Sequence, residues 1–239
     1  ITSLDATAFP PQRLGELYRV RWQIELAIKR MKTILRIDRL PAKDPDLAIS
    51  YDDLGNLYRE LGQYDKAIEY LDKSLIISEE VLDSSNYDLA LLYYHLMMYY
   101  SAVNQDEQAI KYGTKAKNIQ ERILQPVDGN LAATYSTMAL CYTRLDSIEK
   151  AVYFIEKEMP IDEKVFRPDH PELLTAYCNT SRIFIEARLF ERAMHYAAMA
   201  VARAEETFEP GHVIRINSYY SLANVYLAME DYDNALVYI

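Results

Sequence analysis

A spacing of 42 residues constrains this chain more than any other feature of its sequence. Tyr51, Tyr93, Tyr135, Tyr177 and Tyr219 stand one period apart, as do Tyr58, Tyr100, Tyr142, Phe184 and Tyr226. Ala67, Ala109, Ala151, Ala193 and Ala235 form a third column, and Tyr70, Tyr112, Phe154, Tyr196 and Tyr238 a fourth. Tyr accounts for 21 of 239 residues. Five of five in one column therefore has a chance probability of roughly one in 100,000, which makes the internal repeat secure.

Inside one period the apolar residues fall at helical spacing. Leu47, Tyr51, Leu54, Tyr58 and Leu61 lie on one face, Gly62-Gln63 interrupts, and the pattern resumes from Tyr64 to Leu82. That is a helical hairpin. The alanine column must be small because the two helices approach most closely there, while Tyr51 and Tyr58 face the partner helix and the next hairpin. A lone hairpin leaves an apolar side open, so stacking of neighbours supplies the stability. The expected fold is all-α: an α-solenoid of stacked antiparallel helix pairs, with units 47–88, 89–130, 131–172 and 173–214 and a truncated 215–239. Only 6 glycines are present, in keeping with long helices.

These residues resemble tetratricopeptide repeats. Leu54-Gly55, Tyr58, Gly62, Tyr64 and Ala67 follow that family's first-helix and turn signature, with Tyr51 where the family often has Trp. The long period and Pro168-Asp169-His170-Pro171 between hairpins are similar to the kinesin light chain variety. There are departures. Thr180-Ser181 replaces the Leu-Gly pair in the fourth unit and is expected to pack less well, and Pro160 inside a second helix is expected to bend it. The last hairpin reaches Ile239 without a polar capping helix, so its apolar side is expected to be exposed or covered by further residues.

The resemblance implies a binding mode: first helices of successive hairpins line a concave groove that holds a protein or peptide. Carried over by position, the groove residues are Asp52, Asp53, Asn56 and Arg59 in the first unit, and Tyr94, His95 and Met98 in the second. They continue with Thr137 and Arg144 in the third, Asn179 and Arg182 in the fourth, and Tyr220 and Asn224 in the last. Asn and Arg at such places suit an extended peptide backbone or its acidic side chains, and Tyr94 with Met98 suits an apolar pocket. Part of the set is ordinary solvated helix surface, since every such helix shows a polar side to water. His170 and His212, one period apart, read as capping or packing groups rather than metal ligands.

Charge separates the chain in two. Residues 1–46 hold 9 Lys/Arg against 6 Asp/Glu, a balance of +3, whereas residues 47–239 hold 17 against 30, a balance of −13. An acidic array repels a phosphate backbone, so nucleic acid is expected to meet this chain only through residues 1–46. Cys141 and Cys178 are too few for a disulfide framework or a metal knuckle and fit a reducing, cytoplasmic setting. No apolar stretch reaches membrane-spanning length, so no membrane partner is expected. No phosphate-binding loop, nucleophile elbow or Cys/His cluster marks the repeats, and neither a cofactor, a metal nor enzymatic activity is expected.

Residues 1–46 do not follow the period. After Pro10-Pro11, an apolar stripe of Leu14, Leu17, Ile24, Ile28, Met31 and Leu35 predicts a helix running to about Ile37. Tyr18, Arg21, Glu25 and Lys32 fall within about 60° of one another on it. Their spacing resembles the C-terminal catalytic helix of DDE transposases of the IS-four group. The resemblance implies that Glu25 is the third carboxylate of a two-metal DNA-cleaving site, with Arg21 and Lys32 on DNA. The residues alone read differently: Glu25 bridges Arg21 and Lys29 on a helix surface. Either way the two further carboxylates of such a site are missing, so catalysis is not expected. Asp44-Pro45-Asp46-Leu47-Ala48 fits both a transposase ending and a repeat start, which suggests that recombination or sequence assembly joined two parts there. A third expectation is a regulatory sensor domain of a larger signalling protein.

Overall fold

The computed structural model describes residues 40, 41 and 43–238. Ten helices and no strand occur among the described residues. Five helices open successive periods: α1 (Pro45–Glu60), α3 (Tyr87–Ala102), α5 (Gly129–Arg144), α7 (Pro171–Glu186) and α9 (Val213–Ala228). Between and after them lie α2 (Tyr64–Val81), α4 (Asp106–Ile123), α6 (Ile148–Val165), α8 (Phe190–Thr207) and the short α10 (Tyr232–Ala235). Each first helix begins 42 residues after the last. The chain divides into two compact units, one ending at Asn104 and one beginning at Gln105.

Capping explains where the helices start. Asp44, Asn86, Asp128, His170 and His212 are the N-caps of the first helices, and each side chain accepts a hydrogen bond from the backbone N–H two residues on. The two histidines do so through Nδ1, at 3.3 Å from Glu172 N and 3.2 Å from Ile214 N, while stacking on Phe166 and Phe208. Their expected capping role is what the structure shows. First helices end one period apart too, at a left-handed residue: Gly62, Asn104, Asp146, Arg188 and Glu230 have φ between 54° and 67°. Only the first is glycine. The four others carry the steric cost that glycine avoids.

In the first unit, α1 and α2 form a hairpin and α3 packs on α2. Ala67 is fully buried, and a Cβ added at Gly55 would lie 2.9 Å from Leu71 Cγ and 3.2 Å from the Ala67 carbonyl oxygen. The absence of a side chain at Gly55 therefore lets α1 settle against Leu71 and the Ala67 backbone. Tyr70 of α2 stacks on Tyr58 at 5.3 Å between ring centroids and leans on Tyr51 at 6.0 Å. Tyr93 Oη donates to Glu79 Oε1 at 2.5 Å, tying α3 to α2.

The second unit repeats this chemistry. Phe154 stacks on Tyr142 and leans on Tyr135; Tyr196 does the same with Phe184 and Tyr177, and Tyr238 with Tyr226 and Tyr219. Tyr135 Oη donates to Glu121 at 2.8 Å, Tyr219 to Glu205 at 2.6 Å, and Tyr177 to Glu163. Burial and the neighbouring carboxylate push the Tyr177 hydroxyl up to about 12. Burial alone would raise the Glu121 carboxyl, but hydrogen bonds from Tyr135 and Lys117 outweigh it and hold that group below its ordinary range. Thr180 and Ser181, expected to pack poorly, are fully buried. Ser181 Oγ donates to the Ala193 carbonyl at 2.9 Å and Thr180 Oγ1 lies 3.0 Å from Met159 Sδ, so hydrogen bonds replace the apolar pair. The helix α6 runs on through Pro160. At the C-terminal end, Leu236 and Val237 are exposed.

Two positions in the second unit depart from their columns. Ser74, Ala116 and Ala200 correspond to Glu158, and Ser78, Gln120 and Ala204 to Asp162; Glu158 and Asp162 are nonetheless buried, one turn apart on α6. Burial and the charge of Asp162 push Glu158 up to about 8, against a hydrogen bond from Ser136 that lowers it. Burial pushes Asp162 up to about 6, with the charges of Glu172 and Glu163 adding and the hydrogen bond from Glu158 opposing. Both folded values lie above the unfolded ones, 4.5 and 3.8. The protonated pair thus contributes stability that is complete below about pH 4 and is lost as pH rises through about 6 and about 8. Glu158→Gln is expected to raise the thermal midpoint by roughly 3–6 °C at pH 8.5 and to leave it unchanged at about pH 3.5. Thermal melts across that range check it, and a difference that does not grow with pH would refute the account.

Candidate functional site

Four of the residues singled out from sequence meet in the first unit. Tyr99 of α3, 2% exposed, donates through Oη to Asn56 Oδ1 at 2.8 Å. That bond fixes the carboxamide so that Asn56 Nδ2 donates to Asp52 Oδ2 at 3.4 Å. His95 Nδ1 stands 3.6 Å from Asp52 Oδ1, beyond hydrogen-bond range. Burial pushes the Tyr99 hydroxyl up to about 12, and the Arg59 guanidinium beside it pulls the other way. Burial and the neighbouring Asp52 raise the Asp53 carboxyl, which is exposed. Tyr94 is half-buried and Met98 exposed on α3. Arg59 pairs with the adjacent Glu60 at the surface.

In the second unit Asn179 and Arg182 of α7 face Tyr220 and Asn224 of α9 across a hollow of about 510 Å³. All four are exposed. Cys178 and Ser221 complete its polar wall, and Leu174, Ile185 and Ile214 give it an apolar floor. Burial pushes the Cys178 thiol up, so it stays protonated and unreactive at neutral pH. Arg182 Nη1 is 3.4 Å from Glu186 Oε1, a loose surface pair.

Thr137 and Arg144 do not join that hollow. Thr137 Oγ1 donates to the Ala133 carbonyl of its own helix at 3.0 Å. Arg144 Nε lies 3.0 and 2.9 Å from the two carboxylate oxygens of Asp106, which is 7% exposed, and Nη2 donates to the same group. Tyr18, Arg21, Glu25 and Lys32 lie outside the described residues. No group of three or more His, Cys, Asp or Glu among the described residues is arranged to hold a metal ion. Sequence reasoning missed Tyr99 and Asp106. Tyr99 was detectable as the single aromatic in a column otherwise made of Leu57, Cys141, Ile183 and Val225.

Tetratricopeptide repeat sequences match residues 8–75, 46–122 and 130–206, and a second form of the same repeat matches 216–239. The chain belongs to the tetratricopeptide repeat family. Solved tetratricopeptide structures agree in fold. A kinesin light chain protein of Podosopora anserina with nearly identical TPR-like repeats superposes with a TM-score of 0.74 at 23% identity, covering 82% of this chain and 92% of that one. BtubC from P. vanneervenii gives 0.72 at 16% identity over 93% and 88% of the two chains. YrrB, a TPR protein with an unusual peptide-binding site, gives 0.56 at 18% identity over 82% and 83%. A different likeness is short: the transposase of insertion sequence element IS421 from Escherichia coli is 48% identical over 48 residues, 20% of this tetratricopeptide chain. The chain spans only 13% of that transposase's length.

The Asp106–Arg144 pair ties α4 to α5. The guanidinium's hydrogen bonds, against the opposing effect of burial, hold the Asp106 carboxyl below its ordinary range. Asp106→Ala is expected to lower the unfolding free energy by about 1–3 kcal/mol at neutral pH, read by urea denaturation. With the folded value depressed, the wild-type advantage is complete above about pH 4 and fades as pH falls through the lower value. An advantage that is undiminished in strong acid would refute this origin.

Proposed function

We propose that this tetratricopeptide repeat chain is a protein-interaction scaffold that holds an extended segment of a partner along α7 and α9. The observation that carries the reading is the convergence of Asn179, Arg182, Tyr220 and Asn224 on one hollow. Carboxamides both donate and accept, which matches the alternating N–H and C=O groups of an extended backbone. Arg182 is held only loosely by Glu186 and can exchange it for a partner carboxylate. Tyr220, 59% exposed, offers a rigid aromatic surface of the sort that dominates binding energy. The likeness in fold to YrrB supports a peptide as the occupant. The scaffold reading includes no catalytic step and places the repeat array at residues 47–239, in the cytoplasm. Asp53, Asn56, Arg59, Tyr94, Met98, Thr137 and Arg144 would contribute to the partner-facing side of their own helices.

A second reading concerns residues 1–46. The 48% identity to a transposase over 48 residues supports a transposase-derived segment there, joined to the repeats at Asp44–Ala48. In that reading Glu25 is a remnant without its companion carboxylates, and Arg21 and Lys32 retain affinity for DNA phosphates.

For the scaffold, a partner captured on the full chain and then purified is expected to lose at least about tenfold in affinity on Asn179→Ala with Arg182→Ala, with an unchanged melting temperature. Unaltered binding by that double variant would place the partner elsewhere. For the N-terminal segment, binding to duplex DNA is expected to weaken steeply with salt and to fall further on Arg21→Ala with Lys32→Ala. Absence of salt-dependent DNA binding would remove the second reading without touching the first.

A further inference from the structure

A second hollow, of about 310 Å³, lies within the first unit between α1, the end of α2 and α3. At that size it accepts one side chain or a small molecule rather than a folded element. Its walls are apolar, made chiefly by Ile49, Val81, Leu91 and Leu92, and its polar groups are few. The lining includes Asp52, Asp88 and His95 but neither Lys nor Arg.

Asp52 is the unusual group. Asn56, itself fixed by Tyr99, occupies Oδ2, whereas Oδ1 is buried and has no hydrogen-bond partner among the described residues. The same is true of His95 Nδ1, 3.6 Å away. The two atoms face each other out of reach of solvent, so the Asp52 charge is only partly compensated from its own side of the hollow. Ser74 and Ser78 line the hollow, and Ser74 Oγ is already engaged by donation to the Ala48 carbonyl at 2.8 Å. At the corresponding places in the third repeat stand Glu158 and Asp162, whose bulk the serines lack.

We infer that this hollow binds the side chain of an arginine in an extended partner segment. Its methylene stem lies along Ile49, Leu91 and Leu92, and its guanidinium pairs with the carboxylate of Asp52 at the end of the hollow. Charge selects the occupant: two carboxylates, with neither Lys nor Arg in the lining, favour a cation and repel an acidic side chain. Apolar walls suit a long aliphatic stem that carries its charge at the tip. The hollow is separate from the one between α7 and α9 and does not depend on it.

The test uses the full chain and two fluorescent probes, the peptide acetyl-Ala-Ala-Arg-Ala-Ala-amide with a labelled terminus and its counterpart carrying citrulline, which keeps the shape and loses the charge. Fluorescence anisotropy is expected to show the arginine peptide binding at least about tenfold more tightly. Asp52→Asn, which preserves volume, should remove that preference while the thermal midpoint stays within a few degrees; Ser78→Leu, which fills the hollow, should remove it as well. Asn179→Ala with Arg182→Ala should leave it intact. Equal binding of the two peptides, no binding of either at millimolar concentration, or a preference that survives Asp52→Asn would each overturn the inference. A preference lost only on the α7 substitutions would overturn it too, by assigning the peptide to the other hollow.

Discussion

The two helices of a hairpin approach each other at a buried alanine of the second helix, and the rest of the packing depends on that contact. Ala67, Ala151 and Ala193 are fully buried, and the space facing Ala67 is tight enough that Gly55 has no room for a Cβ. Close approach at the alanine brings the aromatic rings further along into register. One ring of the second helix then stacks on one ring of the first and leans on another, in the same geometry from repeat to repeat. Ring stacking thus sets how the two helices of a hairpin sit together, while the next hairpin supplies the stability.

What distinguishes the repeats is the chemistry placed at equivalent points on that shared frame. One position reads Asp52, Tyr94, Ser136, Cys178 and Tyr220; another reads Ser74, Ala116, Glu158 and Ala200. At the second position Ser74 lines a hollow beside Asp52, whereas Glu158 is a buried acid whose burial favours the protonated form. The frame is thus a constant against which single substitutions make local sites. A carboxylate oriented by Asn56 and Tyr99 arises in one repeat, and a wall of carboxamides in another.

Much of the fold was legible in the sequence because its determinants recur. Tyr51, Tyr58, Ala67 and Tyr70 announce a hairpin by repetition, and the 42-residue separation of His170 and His212 already marks them as equivalent caps. The glutamates at 79, 121, 163 and 205 were equally periodic, yet they read as ordinary charged surface until the tyrosines opposite them were in view. Thr180-Ser181 misled because a column rule ranks side chains by apolarity, and these two are satisfied by hydrogen bonds instead. The lining of the two hollows was only partly legible. Asn179, Arg182, Tyr220 and Asn224 could be placed by position alone, since they all point from first helices. Arg144 followed the same rule, but its guanidinium is taken by Asp106, a partner 38 residues away that no local pattern reveals. Tyr99, which organises the Asp52 network, interrupts an aliphatic column, and a single interruption carries little weight without coordinates.

The tyrosine–glutamate bonds between successive hairpins have a bearing on how the molecule is made. Each joins residues only 14 positions apart, so the loop that must close before the bond forms is short and its entropic barrier low. A chain emerging from the ribosome can secure each new helix to the one just completed, without waiting for distant sequence. Such short closures favour assembly by local zipping.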